Sequence, residues 1–147
     1  MSDTEIDHEI RKLNKTDYDS YLELINDFKK TSFTEEEFIE TLTNIKKNSE
    51  IWVIEEDEKL IATGTIIYEN KFIFNISKIA HIEDIYVKKE SRNNNYGKII
   101  MYHLVQQAKK NGCFKIVSEA TPEILEFYIK CGFKEKNVQM VRMITQS

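Results

Sequence analysis

Apolar positions in this chain fall into two rhythms, short alternating runs and stripes at helical spacing. Ile10 and Leu13 alternate in Glu9–Leu13 and predict a first strand, after a polar, frayed stretch at residues 1–8. Tyr18, Tyr21, Leu22, Ile25 and Phe28 then recur at helical spacing, with Asp17 placed to cap the helix. Thr34 and Glu37 form a capping-box pattern, followed by Phe38, Ile39, Leu42 and Ile45 on one apolar face. Ile51–Ile54 predicts a strand, Glu56–Lys59 a turn, and Leu60–Tyr68 a second strand. Gly64 inside that strand marks a bulge or a close backbone approach. Lys71–Ile76 pairs with that strand or extends it, and Ile79–Val87 is the central strand.

The clearest helix is Gly97–Lys110, with Ile100, Met101, Leu104, Val105 and Ala108 as its buried stripe and Gly112 as its stop. Cys113–Glu119 predicts a strand. Thr121 caps the next helix with Pro122 in its first position, and Ile124, Phe127, Tyr128 and Cys131 share a face. Gly132 ends that helix. Phe133 begins a last strand, joined by a turn near Lys136–Asn137 to another at Val138–Ile144. The alternation of strands and helices predicts an α/β fold, a mixed sheet covered by helices on both faces. At 147 residues, without a linker or internal repeat, residues 1–147 read as a single domain.

Composition narrows the function classes. The chain is 31% charged with a net charge of −4, which argues against a nucleic-acid footprint but leaves room for a local basic patch. No apolar run approaches the roughly 20 residues of a membrane span. The first residues, MSDTEIDHEIRKL, lack an apolar leader core, so the expectation is a cytoplasmic protein. Cys113 and Cys131 read as reduced structural thiols, and neither has the spacing of a metal site, so no metal is expected.

The chemistry concentrates in Ile79–Lys98. Two adjacent acids, Glu83 and Asp84, lie in the central strand. A regular pleat sends neighbours to opposite faces, so both reach one site only if the strand bulges there. An Asn-rich turn then empties into Gly97 and a helix, an arrangement that offers backbone N–H groups to a phosphate. Alone, such a turn is also an ordinary exposed connection.

Arg92-Asn93-Asn94-Asn95-Tyr96-Gly97 resembles the pyrophosphate loop of the GNAT superfamily, Gln/Arg-x-x-Gly-x-Gly/Ala, with Asn95 in place of the first glycine. Asn tolerates left-handed backbone better than most residues. The flanks are more specific. HIEDIYV (His81–Val87), Gly97-Lys98, KNGCFKI (Lys110–Ile116), FYIKCGF (Phe127–Phe133) and, upstream, ATGTIIYENKFI (Ala62–Ile73) and EIRKL resemble the glucosamine 6-phosphate N-acetyltransferase branch. The resemblance covers residues 9–144. It implies the GNAT (acyl-CoA N-acyltransferase) fold, with a mixed, mostly antiparallel central sheet. It also implies acetyl-CoA as co-substrate, D-glucosamine 6-phosphate as acceptor, direct transfer in a ternary complex, a place in amino-sugar nucleotide synthesis and a homodimer with substrate near the interface.

Carried over residue by residue, the resemblance makes Glu119 the acid near the amine and Tyr128 the phenol near the departing thiolate. Glu83, Asp84 and Ile85 become sugar-binding residues, and Lys71, Phe114, Lys115 and Arg142 line the substrate. Backbone of Ile85, Tyr86 and Val87 meets the pantetheine arm and acetyl carbonyl, Asn93, Asn94, Asn95, Tyr96, Gly97 and Lys98 hold the pyrophosphate, and Tyr128 and Lys130 complete the CoA contacts. The residue types suit these roles: carboxylates accept from hydroxyls and ammonium, a phenol can protonate a thiolate, and lysines meet phosphate as point charges. Each also has a plainer reading, as a solvated strand acid, a strand-end charge, a core aromatic or a surface lysine. His81 reads as a packed strand histidine.

Two departures touch the cofactor and phosphate contacts. The family has Asn where this chain has Ile124, and its final-strand Arg aligns with Met143, one residue from Arg142. A one-residue offset turns a strand side chain to the other face. Two rival readings remain: a GNAT enzyme acting on another small amine or a protein amine, and a CoA-binding module without activity.

Overall fold

The computed structural model describes residues 8–145. Among these residues, five strands form one sheet in chain order, β1 (His8–Lys12), β2 (Ser49–Glu56), β3 (Lys59–Lys71), β4 (Ser77–Val87) and β5 (Lys115–Ser118). The first three junctions are antiparallel and β4–β5 is parallel, as a strand–helix–strand crossover through α4 (Tyr96–Lys110) requires. Helices α1 (Tyr18–Phe28) and α2 (Glu35–Ile45) cover one face. Helix α4, with α5 (Leu125–Lys130), covers the other. The mixed, mostly antiparallel sheet with helices on both faces is the expected fold class.

Two cores result. One holds Ile54, Ile66, Ile82, Ile100, Met101 and Leu104 under α4; the other holds Leu13, Leu24, Phe38, Leu42, Val53 and Tyr86 under α1 and α2. The α2 capping box forms as expected, with Thr34 Oγ1 accepting from the Glu37 N–H at 3.1 Å and the Thr34 N–H donating to Glu37 at 2.8 Å. Asp17 stands at the α1 N-cap, but its side chain makes no cap bond there. Burial opposes its ionisation, yet Arg11 donates to it at 2.8 and 2.9 Å and the Asn14 N–H at 2.8 Å, which together hold its carboxyl below the ordinary range. A charged partner outcompeted the helix end.

Other boundaries shift for physical reasons. Ile39 is exposed rather than part of the α2 stripe, which reduces to Phe38 and Leu42, with Ile45 at its margin. The predicted strand Lys71–Ile76 is instead the end of β3 and a single turn, α3 (Ile73–Ile76), in which Phe74, Asn75 and Ile76 all have positive φ. That turn reverses the chain, so β3 and β4 form one long hairpin. β5 is shorter than Cys113–Glu119, leaving Glu119 just beyond the strand. Thr121 makes no side-chain cap bond, and Pro122–Ile124 is a 3-10 turn before α5, so Ile124 lies outside that helix and is exposed. Residues 133–145 form no strand, although Asn137 does turn with positive φ where a turn was expected. The frayed stretch expected at residues 1–8 lies outside the described residues, apart from His8 in β1.

One irregularity sets the geometry of the site. Thr65 pairs with Glu83 and Thr63 with Tyr86, so Gly64 alone stands opposite Asp84 and Ile85. This is a β-bulge, with Asp84 in the left-handed region at φ 52°. It reverses the pleat. Before it Ala80 and Ile82 face α4; after it Ile85 and Val87 do, and Tyr86 joins the α1–α2 core. Gly64 is both a bulge partner and a close approach, for an added Cβ would lie 2.8 Å from Leu104 Cδ1 and 3.0 Å from Ile85 Cδ1.

Gly64→Val therefore overpacks the junction of β3, β4 and α4. The expected cost is about 1–3 kcal/mol, seen as a lower thermal midpoint and denaturant midpoint; an unchanged midpoint would remove the packing argument.

Candidate acyl-transfer site

The pairing of β4 with β5 stops at Ile82 and Ser118. Beyond that point β4 bulges and β5 ends, so the strands part and the β5-facing edge of Asp84–Val87 lines a gap. Ser118 Oγ closes the near end by donating to the Ile82 carbonyl at 2.6 Å. Tyr128 projects from α5 toward the same point. Its body is 5% exposed and packs edge-on against Phe127 and Phe133, while its hydroxyl lies against Ser118. Burial raises its pKa, Ser118 opposes that, and the charges of Glu83 and Asp84 add to it, so the phenol stays protonated at neutral pH.

Three carboxylates converge at the mouth of the gap. Burial pushes the Glu83 pKa up, Asp84 and Glu119 raise it further, and His81 partly offsets them. Glu83 is half-buried; Asp84 and Glu119 are exposed. Tyr21 of α1 closes the side of the cluster. Its pKa is pushed up to about 12, first by burial and then by the Asp84 charge, against a hydrogen bond with Thr63. The arrangement is a negative pocket mouth beside a protonated phenol, suited to a cationic acceptor and a departing anion.

The Asn-rich turn lies at the far end of the gap. Asn93 and Asn95 take positive φ, at 74° and 63°, so Asn95 supplies the left-handed geometry that the family gives to glycine. The first backbone bond of α4 runs from the Ile99 N–H to the Asn95 carbonyl, so the N–H groups of Tyr96, Gly97 and Lys98 precede the helical ladder and remain for an anion. Asn94 instead uses its side chain to donate to the Ser91 carbonyl at 3.1 Å. Lys98, Lys89 and Arg92 are exposed around this turn. The donor set fits the diphosphate of an acyl-CoA. Gly97 lets α4 approach α5, since a Cβ there would lie 3.3 Å from Phe127.

Two residues of the turn and strand contribute only backbone. The Tyr96 side chain is buried and donates to Glu56. The Tyr86 side chain is buried on the other face, donates to Asp27 Oδ2 at 2.6 Å and stacks on Phe28 at 4.6 Å. Asp27 also accepts from the Lys89 N–H at 3.0 Å, fastening α1 to the start of the turn.

The remaining candidates lie apart from the three acids. Lys115 begins β5 and Phe114 precedes it, four and five residues from Glu119, about 13 Å of extended chain for Lys115. There Lys115 Nζ sits over the rings of Phe74 and Phe114 at 5.5 and 5.6 Å. Lys71, at the end of β3, pairs with Glu69 at 3.2 Å. Lys130 pairs with Glu126 at 3.5 Å on exposed α5 surface. Arg142 is exposed in the strandless segment, so the face that the one-residue offset was meant to decide does not exist in one chain. Tyr21 and Asp27 escaped the sequence reading as site residues because α1 is remote from β4 in sequence; helical spacing marks Tyr21 only as inward-facing, and Asp27 gave no signal. Lys89 gave no signal beyond its charge.

The model of the acetyltransferase (GNAT) family matches residues 11–133, most of the chain. A glucosamine 6-phosphate N-acetyltransferase of Dictyostelium discoideum is 38% identical over 136 residues, covering 88% of this chain and 87% of the relative. The chain belongs to the GNAT acetyltransferase family, in its glucosamine 6-phosphate N-acetyltransferase branch. The crystal structure of glucosamine-6-phosphate N-acetyltransferase from Arabidopsis thaliana superposes with a TM-score of 0.88 at 34% identity, covering 94% of this chain and 99% of that one. A predicted acetyltransferase from Clostridium acetobutylicum, solved with acetyl-CoA, shares the fold at a TM-score of 0.73 and 20% identity, covering 93% of this chain and 96% of that one.

Burial first, and then the charges of Asp84 and Glu119, raise the Glu83 pKa. A carboxyl whose pKa is raised on folding favours the folded state at low pH, and that contribution is lost as pH rises through its folded pKa. Asp84→Asn removes one repelling charge and keeps a residue type tolerant of positive φ. It should raise the thermal midpoint by a few degrees at pH 7, with the gain vanishing below the carboxylate range. A gain independent of pH would show that the charges of Glu83 and Asp84 are not coupled.

Proposed function

We propose that this GNAT enzyme transfers the acetyl group of acetyl-CoA to the amine of D-glucosamine 6-phosphate, forming N-acetyl-D-glucosamine 6-phosphate. The observation that carries this is the convergence of Glu83, Asp84 and Glu119 beside Tyr128 at the opened β4–β5 gap, in a chain whose relatives in the same branch bear that activity's name.

Each residue has a task that its position supports. The N–H groups of Tyr96, Gly97 and Lys98, with Arg92 and Lys89 nearby, hold the CoA diphosphate. The Ile85–Val87 edge binds the pantetheine amides, and one of its N–H groups holds the acetyl oxygen as it turns negative. Glu83 and Asp84 receive sugar hydroxyls and the ammonium; Glu119 orients the amine. Attack forms the C–N bond and breaks the C–S bond, and Tyr128, protonated by its burial, gives a proton to the thiolate. Acetyl passes directly, without an enzyme nucleophile, since burial raises the pKa of both thiols, Cys113 and Cys131, and disfavours a reactive thiolate.

The same reading includes a homodimer. Apolar side chains stand exposed at the β3–β4 tip, with Phe72 at 92% and Ile76 at 79%, and along the tail, with Val138 at 82% and Met140 at 86%. Large apolar side chains exposed in this number favour cover by a partner. A second copy would also bring Lys71, Phe114, Lys115 and Arg142 to an acceptor pocket that they do not reach within one chain. The two free cysteines accord with a reducing, cytoplasmic setting.

Thiol release from acetyl-CoA tests the proposal, with glucosamine 6-phosphate, glucosamine and glucose 6-phosphate run side by side. Release with the first alone is expected; equal turnover of unphosphorylated glucosamine or a peptide amine would overturn the sugar-phosphate assignment. Tyr128→Phe should lower kcat by about tenfold or more with acetyl-CoA affinity unchanged. An unaltered kcat removes the phenol from the leaving-group step.

A further inference from the structure

The sheet face that carries Glu83 also carries a polar pair, His81 and Glu69, that the transfer scheme does not use. Strand alternation before the bulge puts His81 on the same side as Glu83, two residues or about 6.6 Å along β4. His81 Nε2 lies 2.8 Å from Glu69 Oε1 of β3. Lys71 Nζ lies 3.2 Å from the other Glu69 oxygen. Hydrogen bonds from His81 and Lys71 hold the Glu69 carboxyl below its ordinary pKa, so it stays ionised. An ionised carboxylate takes a proton-bearing nitrogen, which sets His81 as the Nε2–H tautomer and leaves Nδ1 as an acceptor. The ring is 32% exposed, open enough to exchange protons with water. The neighbour in register on β5 is uncharged Val117, with Lys115 and Glu119 two positions to either side.

The proposed reaction releases a proton that has no destination so far. The acceptor arrives as an ammonium and must lose one proton before its nitrogen can attack. Of the two protons remaining on the neutral amine, one leaves as the amide forms and balances the thiolate, which becomes a thiol. The first proton has to reach bulk water. Glu119 and Asp84 stand exposed at the mouth of the gap.

We propose that the His81–Glu69 pair takes the first proton from the substrate ammonium, by way of Glu83 and a bridging water, and passes it to solvent. Burial raises the Glu83 pKa, which makes its carboxylate a competent transient carrier. The charge of His81 reaches Glu83, so the two groups face one another over a short polar interval that one water spans in this relay. Glu69 then stabilises the imidazolium, and Lys71 holds Glu69 in place. His81 and Glu69 act through Glu83 and touch no substrate atom. This inference rests on the amine-acetylation reading above.

The test is the pH profile of kcat/KM for glucosamine 6-phosphate with saturating acetyl-CoA, in the wild type, His81→Gln and Glu69→Gln. Gln at position 81 can still donate to Glu69, and position 69 is partly exposed, so neither change threatens the fold; acetyl-CoA binding and thermal midpoint are measured for both. The expected wild type loses activity on the acid side as the base is protonated. His81→Gln abolishes that limb and lowers kcat by about 100-fold. Glu69→Gln removes the carboxylate that His81 Nε2 bonds and lowers kcat with acetyl-CoA binding unchanged. An active wild type whose profile and kcat are matched by both variants overturns the relay and leaves the proposed function standing. A wild type that turns over no amine overturns both.

Discussion

The structure depends on one extra residue in β4. Because Asp84 and Ile85 together face Gly64, the strand changes which of its residues point toward α4. That change sends Tyr86 into the α1–α2 core and Ile85 and Val87 under α4, so each helical layer takes side chains from β4 on its own side of the bulge. A regular strand would put Tyr86 against Leu104 and leave the other core short of its aromatic. The same bulge turns β4 away from β5, and the gap that results is the site. Packing and chemistry are therefore set by a single local distortion, which Gly64 permits by having no side chain where Leu104 crosses.

Charge is divided across the gap. Its acceptor end gathers Glu83, Asp84 and Glu119; its other end presents helix N–H groups, Arg92, Lys89 and Lys98. A net charge of −4 conceals this division. The two ends match the two reactants of the proposed transfer, a cationic amine and an anionic diphosphate carrier. The Glu83 pKa is raised first by burial and then by Asp84 and Glu119, and a carboxyl so perturbed in a cleft is a common mark of a site arranged for a ligand. Tyr128 links the ends: it is fixed by Phe127 and Phe133, and Phe127 in turn packs on Gly97 at the start of the anion turn.

Parts of the chain remain unpartnered. The β3–β4 tip and the tail expose aromatic and aliphatic groups, and Phe74, Phe114 and Lys115 cluster there rather than at the acids. A tail without a strand and a tip with three left-handed residues are places where local sequence preference did not prevail. The alternation at Val138–Ile144 is a real pattern, but a strand needs a neighbour to bond, and one chain supplies none there.

The sequence by itself determined the α/β class, the capping box of α2, the glycine stops after α4 and α5, and the family, because these rest on local spacing and on contiguous stretches such as HIEDIYV; it left Gly64 open between a bulge and a close approach. It also named Glu83, Asp84, Glu119 and Tyr128, which the fold brings to one gap. Only the tertiary structure decided which residues meet across the chain. Tyr21 against Asp84, Tyr86 against Asp27, and His81 against Glu69 join elements 12 to 63 positions apart, and no periodicity reports such distances. It also decided that Asp17 serves Arg11 rather than a helix end, and that Lys71, Phe114 and Lys115 stand away from the acids. Those outcomes depend on competition among partners for the same polar atom, and on the register of strands, which exist only once the chain has folded.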